Sequence, residues 1–236
     1  MLMFLLFPLV LTLSVATSAD PTCESSQSYL QSFDKFELTY FDGRGLAEVP
    51  RTIFATASQS YKDIRLSREA FNEKKGTGDL AMNLNRVPVL NHNGKIIGQS
   101  SAIARYLAQH FGMFGSTREE SALIDSICEH VVDIKAAFRK LFPYKVELTD
   151  EKKAENFDIW FNTPSKPDLD ARKNRQLQWF LEQIEELLPG DNYSVGGRPN
   201  LADAYLFNLL GEQAKELGKE GEGWFGNRKV SDSNVF

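Results

Sequence analysis

Cysteine and histidine are scarce in this chain of 236 residues, and both shortages exclude kinds of chemistry. The two cysteines are Cys23 and Cys128, so we expect no fold built on several disulfides, and a bridge between the two is poorly motivated. The absence of a Cys-x-x-Cys pair excludes a dithiol oxidoreductase. His92, His110 and His130 are scattered without cysteine or carboxylate at ligand spacing. We therefore expect surface histidines and no metal site.

Clusters of positive charge are also missing. The formal net charge is −5 at pH 7, and no run of Lys and Arg indicates a surface for nucleic acid or for an anionic membrane. We therefore expect no nucleic-acid partner. The chain is 42% hydrophobic and 25% charged, which is typical of a globular protein with one large or two small domains.

The first residues, 1–19, form an apolar run that ends in small residues, with Thr17 and Ala19 at the −3 and −1 positions of a cleavage site. This predicts a signal peptide or targeting leader, and hence the secretory pathway or an organelle. The run lacks a basic residue near its start and contains Pro8, which leaves an uncleaved anchor or an organelle leader as alternatives. It is short for a membrane span. Residues 20–34 are polar and rich in Ser and Gln, as expected of a linker.

The stretch with the most structural signals is 86–111, RVPVLNHNGKIIGQSSAIARYLAQHF. An apolar segment from Val87 is followed by Asn93-Gly94, the pair that a type I′ turn favours, and by a second apolar segment. This pattern predicts a β-hairpin. Pro88 removes a ladder N–H, so it belongs at the start of its strand, which is the most plausible place for a cis X-Pro bond and would leave the backbone of Val87 free.

A helix is predicted directly after this hairpin. Gln99 and Ser100 open it, Gly112 ends it, and its apolar residues recur at a spacing of four: Ile103, Leu107 and Phe111. The outward-pointing N–H groups of such a helix start favour an anion, by about 0.3–1 kcal/mol for the dipole alone. The simpler alternative is that Ser100 or Ser101 is only the N-cap of the helix.

The elements before the hairpin complete an α/β domain over 35–112. Strand-like alternation over 36–41 and 61–66 encloses a helix over 47–58, and the polar stretch 67–85 predicts a short helix with a mobile loop. The order β-α-β-α-β-β-α is the thioredoxin-like layout, a mixed four-stranded sheet with helices on its faces and a right-handed crossover.

From residue 116 onward the apolar spacing becomes helical. Residues 116–119, Ser-Thr-Arg-Glu, have the pattern of a capping box before a long amphipathic helix that ends at Pro143. Three more helices are predicted: over 150–161, over 168–188, and from Asn200 and Asp203 onward. The sequence therefore predicts an all-α C-terminal domain over 116–236.

These segments together resemble a glutathione transferase, most closely the sigma class that includes glutathione-dependent prostaglandin D synthases. The resemblance runs from residue 36 to about residue 225. Residues 38–48, LTYFDGRGLAE, resemble the first strand and turn of the class, whose tyrosine hydrogen-bonds the glutathione sulfur. The resemblance implies that Tyr40 is catalytic, that glutathione is the co-substrate, and that no metal is used. Without this pattern, Tyr40 would be read as one aromatic residue on a half-buried strand.

The resemblance also implies a binding site for glutathione. In the family, the peptide before the cis-proline pairs with the glutathione backbone, and a Gln-Ser pair binds its γ-glutamyl end. These roles fall on Asn85, Arg86, Val87, Gln99 and Ser100. Four positions match less closely: Arg44 near the thiolate, Phe71 and Lys75 for the glycyl carboxylate, and Asp133 for the glutathione amine of a partner subunit. A turn arginine in solvent and a solvated helix carboxylate are the alternatives for Arg44 and Asp133.

The expected activity is attack of the glutathione thiolate on a small apolar electrophile, in a homodimer. A thiol of pKa about 8.5 is only a few per cent thiolate at pH 7, and lowering its pKa by about two units takes roughly 2.7 kcal/mol, within reach of a charge-assisted hydrogen bond plus a local field. The alternatives are an isomerase of prostaglandin-type endoperoxides and a non-catalytic ligand-binding or crystallin-like protein. Two features depart from the family: the leader, since the family is typically cytoplasmic, and the sequence after Leu217, which lacks the usual terminal helices.

Overall fold

The structure is a computed structural model, and it describes residues 34–163, 176–188 and 192–210. Several predictions from the sequence fall outside these residues: the leader, nearly all of the linker, Cys23, the beginning of the helix predicted over 168–188, and the sequence after Leu217. Within the described ranges, no helix has the length and apolar character needed to cross a membrane.

The N-terminal half contains four strands: β1 Phe36–Phe41, β2 Lys62–Leu66, β3 Val89–His92 and β4 Lys95–Gly98. Three helices accompany them: α1 Glu48–Thr56, α2 Arg68–Thr77 and α3 Ser100–His110. The sheet order is β2-β1-β3-β4, with β1 and β2 parallel and the other two pairs antiparallel. The predicted thioredoxin-like domain with a mixed four-stranded sheet is confirmed.

The rest of the described chain is helical, as predicted. It contains α4 Arg118–Leu141, α5 Asp150–Asn162, α6 Leu177–Leu187 and α7 Leu201–Leu210. The helix predicted over 168–188 is described only from Leu177.

One apolar core joins the sheet to these helices. In the N-terminal half, Leu38 and Leu90 of the sheet pack with Ile53 of α1 and Leu107 of α3, all fully buried. The helical half adds a second set of fully buried side chains, which belongs to the same cluster: Ile134, Trp160, Leu177 and Leu201. Burial of one such aliphatic or aromatic side chain contributes about 1.5–3 kcal/mol, so the packing fixes the edge of the sheet on which the candidate site lies.

The hairpin between β3 and β4 has the turn that the sequence predicts. Asn93 and Gly94 have φ of 51° and 87°, the positive values that a type I′ turn requires at both positions. The Asn91 side chain accepts the Gly94 N–H at 2.8 Å, and the Asn93 side chain accepts the Lys35 N–H at 2.9 Å. The Val87-Pro88 bond is cis, as predicted.

The segment 67–85 is more regular than the short helix and loop that were predicted. Ser67 caps the ten-residue helix α2 by accepting the Ala70 N–H at 3.2 Å. Gly78, with φ of 84°, ends this helix, and a 3-10 turn over Ala81–Asn83 follows. The polar composition suggested a loop, but caps at both ends stabilise a helix that has no buried residue of its own.

The capping box of α4 lies one residue later than the sequence pattern suggested. The Thr117 side chain accepts the Glu120 N–H at 3.1 Å, and the Glu120 carboxylate accepts the Ser116 N–H at 2.5 Å. At α7 the predicted bracket is confirmed: Asn200 Oδ1 accepts the Ala202 N–H, and the Asp203 carboxylate accepts the Asn200 N–H, both at 2.9 Å.

The prediction of a surface histidine at position 92 is wrong. His92 is buried, its ring stacks on Phe36 with the centroids 4.0 Å apart, and its Nδ1 lies 2.6 Å from the Tyr106 hydroxyl. The strand places it on the face covered by α3, which its isolated position in the sequence did not indicate. Cys128 is a free thiol buried in α4, and burial raises its pKa. In the ranges that the structure describes, no cluster of His, Cys, Asp and Glu could hold a metal ion.

Candidate active site

Strand register brings the separate sequence motifs to one edge of the sheet. Three residues pair across β1, β3 and β4: Thr39, Val89 and Gly98. The next residue of each segment, one position closer to the edge where β1 and β4 end, is Tyr40, Pro88 or Gln99. Because β1 and β4 run towards this edge and β3 starts from it, residues far apart in sequence converge there.

Tyr40 is half-buried near the end of β1, and its hydroxyl is oriented by the turn that follows. The Leu46 N–H donates to the Tyr40 hydroxyl oxygen at 3.2 Å. Gly45 has φ of 42°, and a Cβ at this position would lie 2.6 Å from that oxygen. Glycine is therefore required for the close approach. Since the oxygen accepts a backbone hydrogen bond, the hydroxyl hydrogen can be donated to a ligand.

The Arg44 side chain binds other protein groups in this structure. Its Nε pairs with the Glu48 carboxylate at 3.1 Å, and its Nη2 lies 3.4 Å from the Asn208 side chain on α7. The alternative of an arginine in solvent is therefore wrong, and the carboxylate of Glu48 offsets part of the field that Arg44 could exert. Sequence reasoning missed Arg51, a buried residue of α1 whose Nη1 donates to the Gly43 carbonyl at 2.7 Å and so holds the same turn.

The peptide before β3 lies outside the strand ladder, as the position of Pro88 predicted for Val87. The ladder between β1 and β3 begins at Val89, so the N–H and C=O of Val87 lie outside it. The peptide is held from behind by Asn83, whose Nδ2 donates to the carbonyls of Arg86 and Pro88 at 2.9 and 3.0 Å. Sequence reasoning missed Asn83, because a buried amide in a polar stretch carries no periodic signal.

Asn85 has a buried oxygen for which no described residue provides a hydrogen-bond donor. Its backbone is left-handed, with φ of 57°. A buried acceptor without a donor costs about 1–3 kcal/mol, which a ligand N–H would recover. The site therefore fits a ligand that presents an amine or a peptide N–H here. Arg86, the next residue, is exposed.

Gln99 and Ser100 occupy the start of α3, but neither serine is its N-cap. Gln99 is the cap residue, with φ of 68° and no capping bond from its side chain, and Ser100 is the first helical residue. A non-glycine residue in such a conformation stores about 1–3 kcal/mol of strain, which is typical of ligand sites. The alternative that Ser100 or Ser101 acts only as the N-cap is therefore wrong. The N–H groups in the first turn of an α-helix have no partner within the helix, so those of α3 can bind an anion.

Three of the residues that match the family less closely lie on helices: Phe71 and Lys75 on α2, and Asp133 on α4. Phe71 is half-buried on α2 and packs against Phe41 with the centroids 5.0 Å apart, which accounts for its burial without a ligand. Lys75 is exposed on the same helix and forms no ion pair within the part of the chain that the structure describes. Asp133 is exposed on α4, as a solvated carboxylate would be.

A cleft of about 320 Å³ lies between the N-terminal half and the helices. Its apolar walls come from Leu46 and Val49 on one side and Val132 on the other. Ser100 and Ser101 line it at the start of α3, and the Tyr205 hydroxyl of α7 lies 3.4 Å from the Ser101 hydroxyl. Gly45 and Leu46 of the turn that contacts the Tyr40 hydroxyl border this cleft, while Phe138 is buried in the core, and the position of the electrophile site stays a prediction.

Two cations of α4, Lys135 and Arg139, also line this cleft. Lys135 is half-buried, with its Nζ 5.8 Å from the centre of the Tyr205 ring, and burial lowers its pKa to about 8. Burial likewise raises the pKa of Tyr205. Arg139 also borders a second cleft of about 570 Å³ at the end of α4, where Phe142 and Tyr144 contribute aromatic surface.

Comparison with known proteins gives this geometry a family context. Residues 36–109 match the model of the glutathione S-transferase N-terminal domain. A hematopoietic prostaglandin D synthase of Gallus gallus is 35% identical over 170 residues, which are 72% of this chain and 75% of the relative. Glutathione S-transferase 3 of Caenorhabditis elegans is 40% identical over 105 residues, which are 44% of this chain and 49% of the relative. The alignment with the C. elegans protein thus spans about half of its length.

Comparison with solved structures indicates the same family. A Nu-class glutathione S-transferase from Haemonchus contortus is 30% identical, with a TM-score of 0.55, and the match covers 73% of this chain and 78% of the other. A monomeric glutathione S-transferase from the hookworm Necator americanus is 33% identical, with a TM-score of 0.57 and coverage of 78% and 83%. The chain belongs to the glutathione S-transferase family, and the transferase activity predicted from its sequence is the activity for which most of these relatives are named.

Proposed function

We propose that this protein transfers glutathione to apolar electrophiles and that Tyr40 stabilises the reacting thiolate. The observation that carries this proposal is the convergence of Tyr40, the peptide before cis-Pro88 and the start of α3 at one edge of the sheet. A tripeptide with a thiol, two carboxylates and a free amine matches the donors and acceptors found there.

Glutathione would be held mainly by backbone groups. The N–H and C=O of Val87 would pair with the cysteinyl unit as a short antiparallel strand, since they lie outside the β3 ladder. The first N–H groups of α3 and the Ser100 hydroxyl would bind the γ-glutamyl carboxylate. The unsatisfied Oδ1 of Asn85 would accept an N–H of the ligand.

The chemistry follows from the orientation of the Tyr40 hydroxyl. Its oxygen already accepts the Leu46 N–H, so its hydrogen is directed to the sulfur and favours the anionic form of the thiol. The thiol proton passes to solvent, the sulfur lone pair forms a bond to the electrophilic carbon, and a leaving group such as chloride departs with its electron pair. Tyr40 keeps its proton throughout and acts as a hydrogen-bond donor.

The first test is conjugation of glutathione to a chloronitrobenzene by the full chain and by Tyr40→Phe. We expect the variant to lose about tenfold or more in kcat/KM, as when a charge-stabilising donor is removed from other enzymes. Tyr61→Phe is the matched control, because Tyr61 is stacked on Phe54 at the opposite end of β2 and is not part of the site. Equal activity of Tyr40→Phe and the wild type would overturn the role of Tyr40.

Isomerisation of a prostaglandin-type endoperoxide is the second candidate function. It is favoured by the relative from Gallus gallus, which is named a hematopoietic prostaglandin D synthase. The same observation and the motif of residues 38–48 support a sigma-class assignment, with the Nu class of the Haemonchus structure as the competing class. The test is glutathione-dependent conversion of an endoperoxide by the full chain. Retention on a glutathione resin without turnover of either substrate would favour the ligand-binding alternative.

We propose a homodimer and a secretory or organelle location. The dimer is supported by exposed apolar side chains at Met82, Leu84 and Leu123, which are 79%, 71% and 57% exposed. Light scattering would test it, and a stable monomer, the state named for the Necator protein, would contradict it. The location is supported by the leader over 1–19. A mature chain that begins at Asp20 in the culture medium is the expected result, and an unprocessed chain confined to the cytosol would contradict it.

A further inference from the structure

A network of charged side chains holds the turn between β1 and α1. Its centre is Arg51 of α1, which is only 8% exposed, and a buried guanidinium needs partners for its charge and its N–H donors. Its Nη1 donates to the Gly43 carbonyl at 2.7 Å and to the Glu48 carboxylate at 3.2 Å, and its Nη2 donates to the Asp63 carboxylate of β2 at 3.2 Å. One side chain thereby connects the turn with α1 and with the sheet.

Two shared carboxylates extend this network along the turn. The other oxygen of Glu48 lies 3.1 Å from Arg44 Nε, so this carboxylate binds two arginines. Asp63 is shared in the same way, because Arg65 Nε donates to it at 2.9 Å. The same guanidinium donates from Nη1 to the Asp42 carboxylate at 3.0 Å. The first three residues of the turn are thus all bound by members of the network.

Hydrophobic burial does not fix this turn. Its side chains are exposed or half-buried as far as Leu46, which is 48% exposed, and the first buried residue after β1 is Ala47. A Cβ added at Gly43 would meet no atom of the described residues within 4 Å. The charged network therefore restrains the position of the Leu46 N–H, and this N–H is the donor that contacts the Tyr40 hydroxyl at 3.2 Å.

We propose that Arg51 is a positioning residue that fixes the Tyr40 hydroxyl through this turn, and that the network thereby keeps bound glutathione in its thiolate form. The inference rests on the proposed function, because it takes Tyr40 as the donor to the sulfur. Arg51 acts through the Gly43 carbonyl in this scheme and not on the sulfur itself. The thiol is ionised only while the O–H is directed at it, since a hydrogen bond weakens steeply as its angle departs from linearity.

The test measures the pKa of the bound thiol, from the ultraviolet absorbance of the glutathione thiolate across a pH series. Arg51→Lys keeps the charge but replaces the fork of donors with one ammonium group, which cannot bind the carbonyl and both carboxylates in the same geometry. We expect this variant to raise the pKa of the bound thiol by about one unit. Arg105→Lys is the matched control and should leave it unchanged, because Arg105 of α3 also bridges two carboxylates, those of Asp125 and Glu129.

Two further variants show how Arg51 acts. Tyr40→Phe lacks the hydroxyl, so adding Arg51→Lys to it should raise the pKa of the bound thiol no further, whereas an effect independent of Tyr40 would add. Asp63→Asn removes a negative charge, whose field alone would lower the pKa of the thiol, while loosening Arg51 should raise it. Asp63→Asn also tests the proposal should Arg51→Lys fail to fold. A rise in pKa that persists without the Tyr40 hydroxyl, or a fall in Asp63→Asn, would overturn the proposal.

Amide hydrogen exchange of the free protein separates this inference from the proposed function. Without glutathione, Arg51→Lys should speed exchange of the Leu46 N–H by about tenfold over the wild type, and Arg105→Lys should not. If the wild type ionises glutathione and conjugates the chloronitrobenzene but Arg51→Lys leaves the pKa of the bound thiol unchanged, the positioning role is overturned and the transferase stands. If the exchange changes as expected but the wild type does not ionise bound glutathione, Arg51 holds the turn and the transferase proposal falls.

Discussion

The two halves of the candidate active site are built from different parts of the chain. The half that we propose for glutathione uses mainly backbone: the peptide at Val87, the first turn of α3, and one hydroxyl at Tyr40 that a backbone N–H orients. The half that we propose for the electrophile is the cleft lined by side chains of the helices, Lys135 and Arg139 of α4 among them. The first half is fixed by strand register, and the second by which side chains the helix carries.

Under the proposed function, this difference would let one half bind a constant ligand while the substrate of the other half changes. Moving a backbone N–H requires a shift of the whole strand, which the pairing of Thr39, Val89 and Gly98 resists. A side chain on the face of α4 is exchanged by a single substitution without loss of the helix. We therefore expect substitutions that disturb the glutathione half to affect folding and activity together, and those in the cleft to change preference.

The largest effect is expected at Asn83, which supports the glutathione half from behind. Asn83→Leu keeps the approximate volume but removes both donors to the carbonyls of Arg86 and Pro88. Leaving two carbonyls unpaired should lower the free energy of unfolding by about 2–4 kcal/mol and should weaken glutathione binding as well. Urea denaturation and titration calorimetry measure the two effects.

Asn162→Leu is the matched control for this substitution. Asn162 is an exposed residue of α5 whose side chain, among the described residues, bonds the Asp158 carboxylate at 2.8 Å, so its loss should change stability by less than about 0.5 kcal/mol. If Asn83→Leu were equally mild, the peptide before β3 would not depend on this amide.

The next largest effect is expected at Gly45, which permits the position of the Tyr40 hydroxyl. In Gly45→Ala the new Cβ would lie 2.6 Å from the hydroxyl oxygen, and a residue with a Cβ is strained at a φ of 42°. We expect kcat/KM for the chloronitrobenzene to fall about tenfold to hundredfold, or roughly 1.4–2.7 kcal/mol, through displacement of the hydroxyl. Gly43→Ala serves as the control, because a Cβ there meets nothing within 4 Å. Equal losses in the two variants would show that the turn as a whole, and not the hydroxyl, is disturbed.

The two halves of the candidate site also differ in how well the sequence predicted them. The sheet and the placement of Val87 were predicted from three local signals: alternating strands, the Asn93-Gly94 turn and Pro88. Once these elements form, the strand register determines which residues lie beside one another. Asn83 was missed, since its bonds depend on a turn that residues 81–83 form only in the folded chain. The cations of the cleft were missed as well, because a lysine on an amphipathic helix is read as solvated until the packing of α7 is known.

Asn85 offers a smaller and more selective test of the glutathione half. Asn85→Gly keeps a residue that accepts a φ of 57° and removes the buried oxygen that has no donor. The free energy of unfolding should change by less than about 1 kcal/mol, because two effects oppose each other. Removing the unpaired acceptor stabilises the folded state, and the greater conformational entropy of glycine stabilises the unfolded state. Glutathione affinity should fall about fivefold through loss of one hydrogen bond, or roughly 1 kcal/mol. Unchanged affinity in titration calorimetry would remove Asn85 from the binding site.

The smallest effect concerns the cleft and appears in the pH dependence of stability. Burial lowers the pKa of Lys135 from 10.5 to about 8 in the folded protein. Between these values the unfolded chain binds more protons than the folded one, so the contribution of Lys135 to stability rises with pH across this window. Because the side chain is only half-buried, we expect a gain of about 1 kcal/mol, well below the full linkage value.

Urea denaturation from about pH 7.5 to 10.5 should show this gain for the wild type relative to Lys135→Met, while Lys140→Met should follow the wild type. Parallel curves for the wild type and Lys135→Met would mean that the ammonium group is as well solvated in the cleft as in the unfolded chain.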